Sequence, residues 1–175
     1  ASLTPSSIPH SEFRIPNFIM APWTFHSAGS LLFGRGAVSH LGAVAGRLRA
    51  KRVFVVTDPA LAAAGVLDRV RDPLAEAGVD VGVFDGGKPE PAVEVVRTAA
   101  DAARAYRPDA VLGLGGGSNM DAAKLVALVL AHGGDPTDYV GDCRVPGAVR
   151  ALVCLPTTAG TGSGRSAAAG FTGSA

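Results

Sequence analysis

The chain has 175 residues, of which 47% are hydrophobic and 18% are charged, and its formal net charge at pH 7 is +1. A globule of this length buries roughly 70% of its unfolded surface, which is enough for a hydrophobic core. The near-neutral charge gives no signature of a nucleic-acid or membrane-surface partner, and no run approaches the roughly 20 apolar residues of a membrane span.

The N-terminal region contains a proline-rich segment and a first pair of strands. Residues 1–20 carry three prolines and show neither helical nor strand periodicity, so we predict a leader or a cloning remnant outside the domain. Alternating apolar residues from Trp23 to Phe33 predict a β-hairpin. Because an edge strand invites pairing with another chain, this segment also suggests a homodimer.

From residue 37 onwards, segments with helical spacing alternate with short apolar runs. The predicted helices cover residues 37–49, 61–77, 91–106 and 119–132, the second of them interrupted at Gly65 and Pro73. The predicted strands cover residues 53–56, 79–84, 110–114 and 151–155. This alternation predicts an α/β fold, namely a Rossmann-like parallel sheet with helices on both faces.

Polar groups directly follow three of these strands. Asp58 follows the first strand, Gly115-Gly116-Gly117 follows the third, and Thr157-Thr158 follows the fourth. The carboxyl ends of parallel strands lie at one edge of the sheet, and ligands bind beyond that edge. We therefore expect these groups to lie together.

The glycine run from Gly115 to Gly117 connects a predicted strand to a predicted helix. Without Cβ atoms the backbone can approach an anion, and the free N–H groups and positive dipole end of the helix face it. The run therefore predicts a phosphate-binding site, most simply for a dinucleotide. The common G-x-G-x-x-G fingerprint is absent, since Ser118 occupies its last position when it is counted from Gly113.

Several residues near these motifs allow two interpretations. Ser118 and Asp121 match a capping-box-like start, so Ser118 either caps the helix alone or also contacts a phosphate. Asp121 either fixes the loop or contacts a neutral part of a ligand, and Lys124 either reaches the ligand or extends into solvent. Asp58 either holds ribose hydroxyls, which favours NAD over NADP, or caps a helix beginning at Pro59, and both roles can coexist.

Other kinds of chemistry find no support in the sequence. A P-loop spacing at residues 82–88 is followed by Pro89 where a Mg²⁺-binding hydroxyl is required. The four histidines are isolated and no G-x-S-x-G motif occurs, so we assign neither a catalytic residue nor a metal ligand. Cys143 and Cys154 lack the spacing of a zinc or redox pair, which favours a reducing, cytoplasmic location.

Two motifs in order resemble those of the iron-containing alcohol dehydrogenase family. The first is Gly115-Gly116-Gly117-Ser118 with Asp121 and Lys124, and the second runs from Pro156-Thr157-Thr158 to Gly162-Ser163. The resemblance implies that residues 21–163 form the N-terminal dinucleotide-binding domain. It places cofactor contacts at Asp58 (adenosine ribose), at Gly116, Gly117 and Ser118 (pyrophosphate), at Thr157 and Thr158 (adenine or nicotinamide side), and at Asp121.

In this family a C-terminal helical domain carries the catalytic Fe²⁺ or Zn²⁺, and residues 164–175 instead read as a small-residue tail outside the family pattern. We therefore expect the NAD(P)-binding half of a metal-dependent alcohol or aldehyde oxidoreductase, inactive as this chain alone. NAD is the expected cofactor and NADP the second choice, with a small alcohol or aldehyde as substrate and no nucleic-acid or membrane partner. The alternative is a non-catalytic dinucleotide-binding fragment or engineered module.

Overall fold

The computed structural model describes residues 29–90, 92–141, 144–166 and 169–172. Within these ranges four parallel strands form one sheet in the order β2-β1-β3-β4. The strands are β1 (Arg52–Val56), β2 (Asp80–Phe84), β3 (Ala110–Gly115) and β4 (Ala151–Pro156). The α-helices of the same ranges are α1 (Leu41–Arg47), α2 (Pro59–Ala63), α3 (Asp68–Glu76), α4 (Val93–Tyr106) and α5 (Gly117–His132), with 3₁₀ turns at Ala37–His40 and Pro136–Tyr139. The predicted α/β fold is confirmed.

The two faces of the sheet bury separate apolar clusters. Phe54 and Val56 of β1 pack with α4 and α5 on one face. Val53 and Val55 pack with α1 and α3 on the other face. Successive side chains of a strand point to opposite faces, so helices on both sides require the continuous apolar run that the sequence shows in β1.

Helix α5 is the connection between β3 and β4, and it packs against both strands and against α4. Gly113 on β3 allows this close approach. A Cβ atom at Gly113 would lie 2.9 Å from the Cβ of Ala123 and 3.0 Å from the Cα of Met120. The position of α5 relative to β3 therefore depends on the absence of a side chain at this position.

The helix predicted over residues 61–77 is two helices, α2 and α3. Gly65 lies between them with φ +71°, a left-handed conformation that favours glycine. The predicted interruption at Pro73 is wrong, because α3 continues through this residue. Val70 and Leu74 on either side are each 1% exposed, and their burial offsets the backbone hydrogen bond that proline cannot donate.

Some predictions fall partly or wholly on residues outside the described ranges. The leader at residues 1–20 and Cys143 lie outside them, as do residues 23–28 of the predicted hairpin. The described part of that hairpin, residues 29–33, contains no strand, and Phe33 is 95% exposed. Among the described helices, each is too short or too polar to cross a bilayer.

The 3₁₀ turn after α5 is fastened to α4 through Asp135. Arg97 donates to both carboxylate oxygens of Asp135, from Nε at 2.6 Å and from Nη2 at 3.0 Å. The backbone N–H and the hydroxyl of Thr137 also donate to Asp135. The hydrogen bond from Arg97, followed by those from Thr137, holds the pKa of Asp135 well below its usual value.

We expect Asp135→Asn to lower the melting temperature more near neutral pH than at about pH 2. A carboxyl whose pKa is depressed in the folded state stabilises the fold above its unfolded pKa, and that contribution is lost as the pH falls through the folded value. The effect should be small because Arg97 and Asp135 are partly exposed. Thermal unfolding at both pH values measures it, with Asp101→Asn in a more exposed pair as the control. An equal decrease at both pH values would contradict this role.

Candidate functional site

The segments that follow β1, β3 and β4 meet at the carboxyl edge of the sheet. The N–H of Thr157 donates to the carbonyl oxygen of Gly115 at 2.9 Å. A Cβ atom at Gly116 would lie 3.5 Å from Oγ1 of Thr158. Asp58 is connected to α5 by a hydrogen bond from the side chain of Asn119. The parallel topology therefore brings together the polar groups that the sequence places after these strands.

Helix α5 begins at this edge without a side-chain cap among the described residues. Its N-cap is Gly116, in an extended conformation with φ −77° and ψ −174°. The N–H of Met120 donates to the carbonyl oxygen of Gly116 at 3.2 Å. The N–H groups of Gly117, Ser118 and Asn119 come before this bond in the helix, so they have no partner within it. With the positive end of the helix dipole, these N–H groups can bind an anion.

Ser118 does not cap α5, which corrects the capping interpretation. The helix begins two residues earlier than that interpretation requires, because β3 ends at Gly115 and Gly116 already serves as the N-cap. Ser118 therefore lies in the first turn. Its Oγ accepts a hydrogen bond at 3.3 Å from the N–H of Glu90, which belongs to the connection between β2 and α4.

Asp58 is the N-cap of α2, as one of its two interpretations predicts. Its Oδ1 accepts a hydrogen bond from the N–H of Leu61 at 2.9 Å. Its Oδ2 accepts one from Nδ2 of Asn119 at 2.7 Å. Each carboxylate oxygen can accept more than one hydrogen bond, and Asp58 is only partly buried. The carboxylate is thus held in place and can still accept hydrogen bonds from a ligand.

Asn119 is a site residue that the sequence reasoning misses. It is 4% exposed, and its Nδ2 donates to the carbonyl oxygen of Leu114 at 3.0 Å as well as to Asp58. Its position in the first turn of a helix after a glycine run is the only sequence signal. That signal does not show that the side-chain amide points into the protein. The amide points inward because its two acceptors lie on or directly after β1 and β3, which are neighbours in the sheet.

Asp121 and Lys124 form an ion pair on the second turn of α5. The distance from Nζ of Lys124 to Oδ1 of Asp121 is 3.0 Å, and the side chains are 12% and 19% exposed for Lys124 and Asp121. Asp121 also accepts from the N–H of Gly170, and Lys124 donates to Oγ of Ser166. Asp121 therefore fastens the segment at Gly170 to α5, which is a different loop from the glycine run named in the sequence interpretation. The extension of Lys124 into solvent is wrong, because the pair packs beneath this later segment.

The segment after β4 folds back over the start of α5. A Cβ atom at Gly117 would lie 3.0 Å from Oγ of Ser163 and 3.4 Å from Cβ of Thr161. Ser163 is 8% exposed, whereas Thr157 and Thr158 are exposed. The two threonines thus line an open side of the helix start, and Ser163 closes another.

A comparison with known proteins decides the family. The sequence model of the iron-containing alcohol dehydrogenases matches residues 28–175. The chain belongs to the iron-containing alcohol dehydrogenase family. The resemblance carried by the glycine run and by the motif beginning at Pro156 is therefore confirmed, and with it the oxidoreductase class of the family.

This chain aligns with only a part of the length of its relatives in the family. The NAD-dependent methanol dehydrogenase of Bacillus methanolicus is 39% identical over 144 residues, which are 82% of this chain and 38% of the relative. Long-chain-alcohol dehydrogenase 1 of Geobacillus thermodenitrificans is 39% identical over 133 residues, 74% of this chain and 34% of the relative. The solved alcohol dehydrogenase from Oenococcus oeni has a TM-score of 0.82 at 28% identity, covering 87% of this chain and 40% of that one. The chain spans little more than a third of the length of these curated relatives.

The metal for which iron-containing alcohol dehydrogenases are named has no binding group in the described part of this chain. Within those residues, no three or more His, Cys, Asp or Glu side chains lie close enough together to hold an ion. Cys154 is a free thiol, and burial raises its pKa, which disfavours the thiolate that would bind metal or attack a substrate. We therefore assign no step of a reaction to a metal held by these residues.

The P-loop alternative is also incompatible with the geometry of this family member. Gly82 lies inside β2, and the next helix begins only at Val93. Gly87 is buried, and its N–H donates to the carbonyl oxygen of Thr57 at 2.9 Å. The segment therefore packs against the end of β1 and does not wrap around a phosphate before a helix.

Proposed function

We propose that this chain is the NAD-binding half of a metal-dependent alcohol or aldehyde oxidoreductase. The observation that carries the proposal is the uncapped start of α5, where the N–H groups of Gly117, Ser118 and Asn119 face the carboxyl edge of a parallel sheet. A diphosphate complements such a helix start in charge and in hydrogen bonding. NAD dependence is named for the relative from Bacillus methanolicus, which supports NAD as the first choice and leaves NADP as the second.

Each predicted cofactor residue has a role in this proposal. Gly116, Gly117 and Ser118 would hold the pyrophosphate, because no described side chain caps the helix there. Asp58 would hold the adenosine ribose, with its carboxylate accepting hydrogen bonds from the ribose hydroxyls. The remaining roles are those of Thr157 and Thr158, which contact the adenine or nicotinamide side from the exposed segment after β4, and of Asp121, which fastens the neighbouring loop.

The contribution of these residues to the reaction is binding and orientation. The nicotinamide, when bound, supplies the acceptor or donor of a hydride exchanged with a small alcohol or carbonyl compound. The backbone N–H groups of α5 fix the diphosphate, and Asp58 fixes the ribose at one end of it.

Isothermal titration calorimetry with NAD tests the binding role. We expect one saturable site that free pyrophosphate competes for, and the absence of NAD binding would contradict the proposal. Turnover of a short alcohol with added Fe²⁺ or Zn²⁺ tests the half-enzyme role. Measurable turnover by this chain alone would contradict the half-enzyme role. NAD binding without turnover agrees with that role and also with the alternative of a non-catalytic dinucleotide-binding module.

We expect Asp58→Gly to shift the preference of the chain from NAD towards NADP. A carboxylate repels the 2′-phosphate of NADP and accepts a hydrogen bond from the 2′-hydroxyl of NAD. Its loss therefore removes the repulsion of NADP and weakens the binding of NAD. The measurement is the ratio of the two Kd values by calorimetry. Asp72→Asn on the exposed surface of α3 is the control for net charge. An unchanged ratio in Asp58→Gly would remove the ribose role.

Further expectations from the sequence belong to this proposal. They are a domain bounded by residues 21–163, a cytoplasmic location and a homodimer formed through an edge strand. Within the described residues, β2 and β4 are the edge strands, and the side chains of Leu31 and Leu32 are 68% and 53% exposed. Leu31 and Leu32 line a cavity together with Leu152 and Leu155 of β4, and exposed apolar groups beside a strand that is an edge among the described residues favour association between copies.

A further inference from the structure

Asn119 connects the two groups that the proposed function assigns to the cofactor. Its side chain reaches Asp58 at the end of β1, and its backbone N–H is one of those at the start of α5 that lack a partner within the helix. One residue therefore lies in contact with both the proposed ribose acid and the proposed diphosphate site.

Two hydrogen bonds orient the side-chain amide of Asn119. Nδ2 carries two hydrogens, of which one is donated to the carbonyl oxygen of Leu114 and the other to Oδ2 of Asp58. The amide is planar, so fixing the first bond at the end of β3 also sets the direction of the second. Cβ atoms at Gly87 and Gly115 would collide with Oδ1 and Nδ2 of this amide, which shows how tightly the backbone encloses it.

The same contacts fix the carboxylate of Asp58. Oδ1 is held by the N–H of Leu61 and Oδ2 by Asn119, so within the described part of the chain each oxygen has a protein donor in a defined direction. The remaining acceptor positions must point away from these donors. Without the bond from Asn119, only the N–H of Leu61 holds the carboxylate among the described residues, and the carboxylate can then rotate about its Cβ–Cγ bond.

We infer that Asn119 is a positioning residue that sets coenzyme selectivity, and this inference rests on the proposed function. By orienting the carboxylate of Asp58, it makes that group recognise the adenosine 2′-hydroxyl and reject a 2′-phosphate. A carboxylate that can rotate accepts the hydroxyl less well and can turn away from a phosphate. Asn119 therefore sets the NAD-to-NADP ratio without itself touching the ribose.

The test is a cycle of two protein forms and three ligands. Asn119→Leu keeps a similar branched shape and removes both donors, and calorimetry gives Kd values for NAD, NAD lacking the adenosine 2′-hydroxyl, and NADP. We expect the native chain to lose about tenfold in affinity when the hydroxyl is removed and the variant to lose less than about threefold. The ratio of the NADP and NAD Kd values should fall by about fivefold or more in the variant.

A purely structural role would weaken all three ligands by the same factor and leave these ratios unchanged, which would overturn the inference. Thr98→Ala, on the exposed face of α4, is the control and should leave every ratio as in the native chain. Failure of the native chain to bind NAD would instead contradict the proposed function, and the inference with it. NAD binding with unchanged ratios in the Asn119 variant would contradict the inference alone.

A second variant and a measurement on the native chain cover the case in which Asn119→Leu does not fold. Asn119→Asp has the same shape and places a like charge beside Asp58, so it should reduce the dependence on the 2′-hydroxyl in the same way. In the native chain, the side-chain amide signals of Asn119 in ¹⁵N NMR should shift differently with NAD and NADP. Identical shifts with both ligands would overturn the inference.

Discussion

Replacing Gly116 by aspartate is expected to weaken NAD binding at least tenfold, about 1.4 kcal/mol, while slightly raising thermal stability. Gly116 is the N-cap of α5 in an extended conformation that any residue can adopt. An aspartate at an N-cap accepts hydrogen bonds from the first-turn N–H groups and is favoured there by a few tenths of a kcal/mol over glycine. Its carboxylate would therefore occupy the anion site and repel a diphosphate.

The opposite signs of the two effects make this variant informative. A variant that damages the fold would lose both NAD affinity and thermal stability. A carboxylate that caps the helix raises thermal stability and lowers NAD affinity. Gly116→Ala carries the same Cβ, which lies at an ordinary distance from Thr158, and should lose much less affinity. Calorimetry with NAD and thermal unfolding supply both measurements. NAD affinity in Gly116→Asp equal to that of the native chain would show that the diphosphate binds elsewhere.

Gly113→Val is expected to lower the free energy of unfolding by about 3 kcal/mol. The added Cβ would lie 2.9 Å from Cβ of Ala123 and 3.0 Å from Cα of Met120. Both atoms are fixed by the backbone of α5 and cannot be moved by a side-chain rotation, so the helix must move from β3. Because that movement also displaces the start of α5, NAD binding should decrease as well.

Urea unfolding measures this effect against a matched glycine. Gly46→Val lies at an exposed position of α1 with no atom within 4 Å of the added Cβ. It should change the free energy of unfolding by less than about 0.5 kcal/mol. If the two variants lose similar stability, the close approach of α5 to β3 is not what Gly113 provides.

Much of the fold follows from the sequence because burial on both faces of a sheet leaves a recognisable pattern. A continuous apolar run such as the one in β1 is needed when helices cover both faces, and the helices between such runs set a parallel arrangement. The same arrangement explains why Asp58, Gly116 and Thr157 meet, since each follows the carboxyl end of a strand. For these residues the topology alone was sufficient to place them.

The remaining features depend on geometry that a single sequence does not contain. The cap of α5 is Gly116 in place of Ser118, because the cap position is set by the residue at which β3 stops pairing with β4. The spacing of Asp121 and Lys124 suits an ion pair on one helix face, but its burial requires the segment after β4. The inward direction of Asn119 requires β1 beside β3. Local pattern therefore predicts elements, and contacts between distant segments determine which atoms face the ligand.

The burial of α5 has a consequence for the thermodynamics of coenzyme association. Met120, Ala123 and Val126 are fully buried, and the last two pack in the cluster that α5 shares with the sheet and α4, so we expect the anion-binding amides to move little when a ligand binds. A preorganised receptor avoids the entropic penalty of ordering its own backbone. Adaptation to a bulkier coenzyme is therefore expected in the solvent-facing loops around Asp58 and Glu90, which can be exchanged while the helix stays where it is.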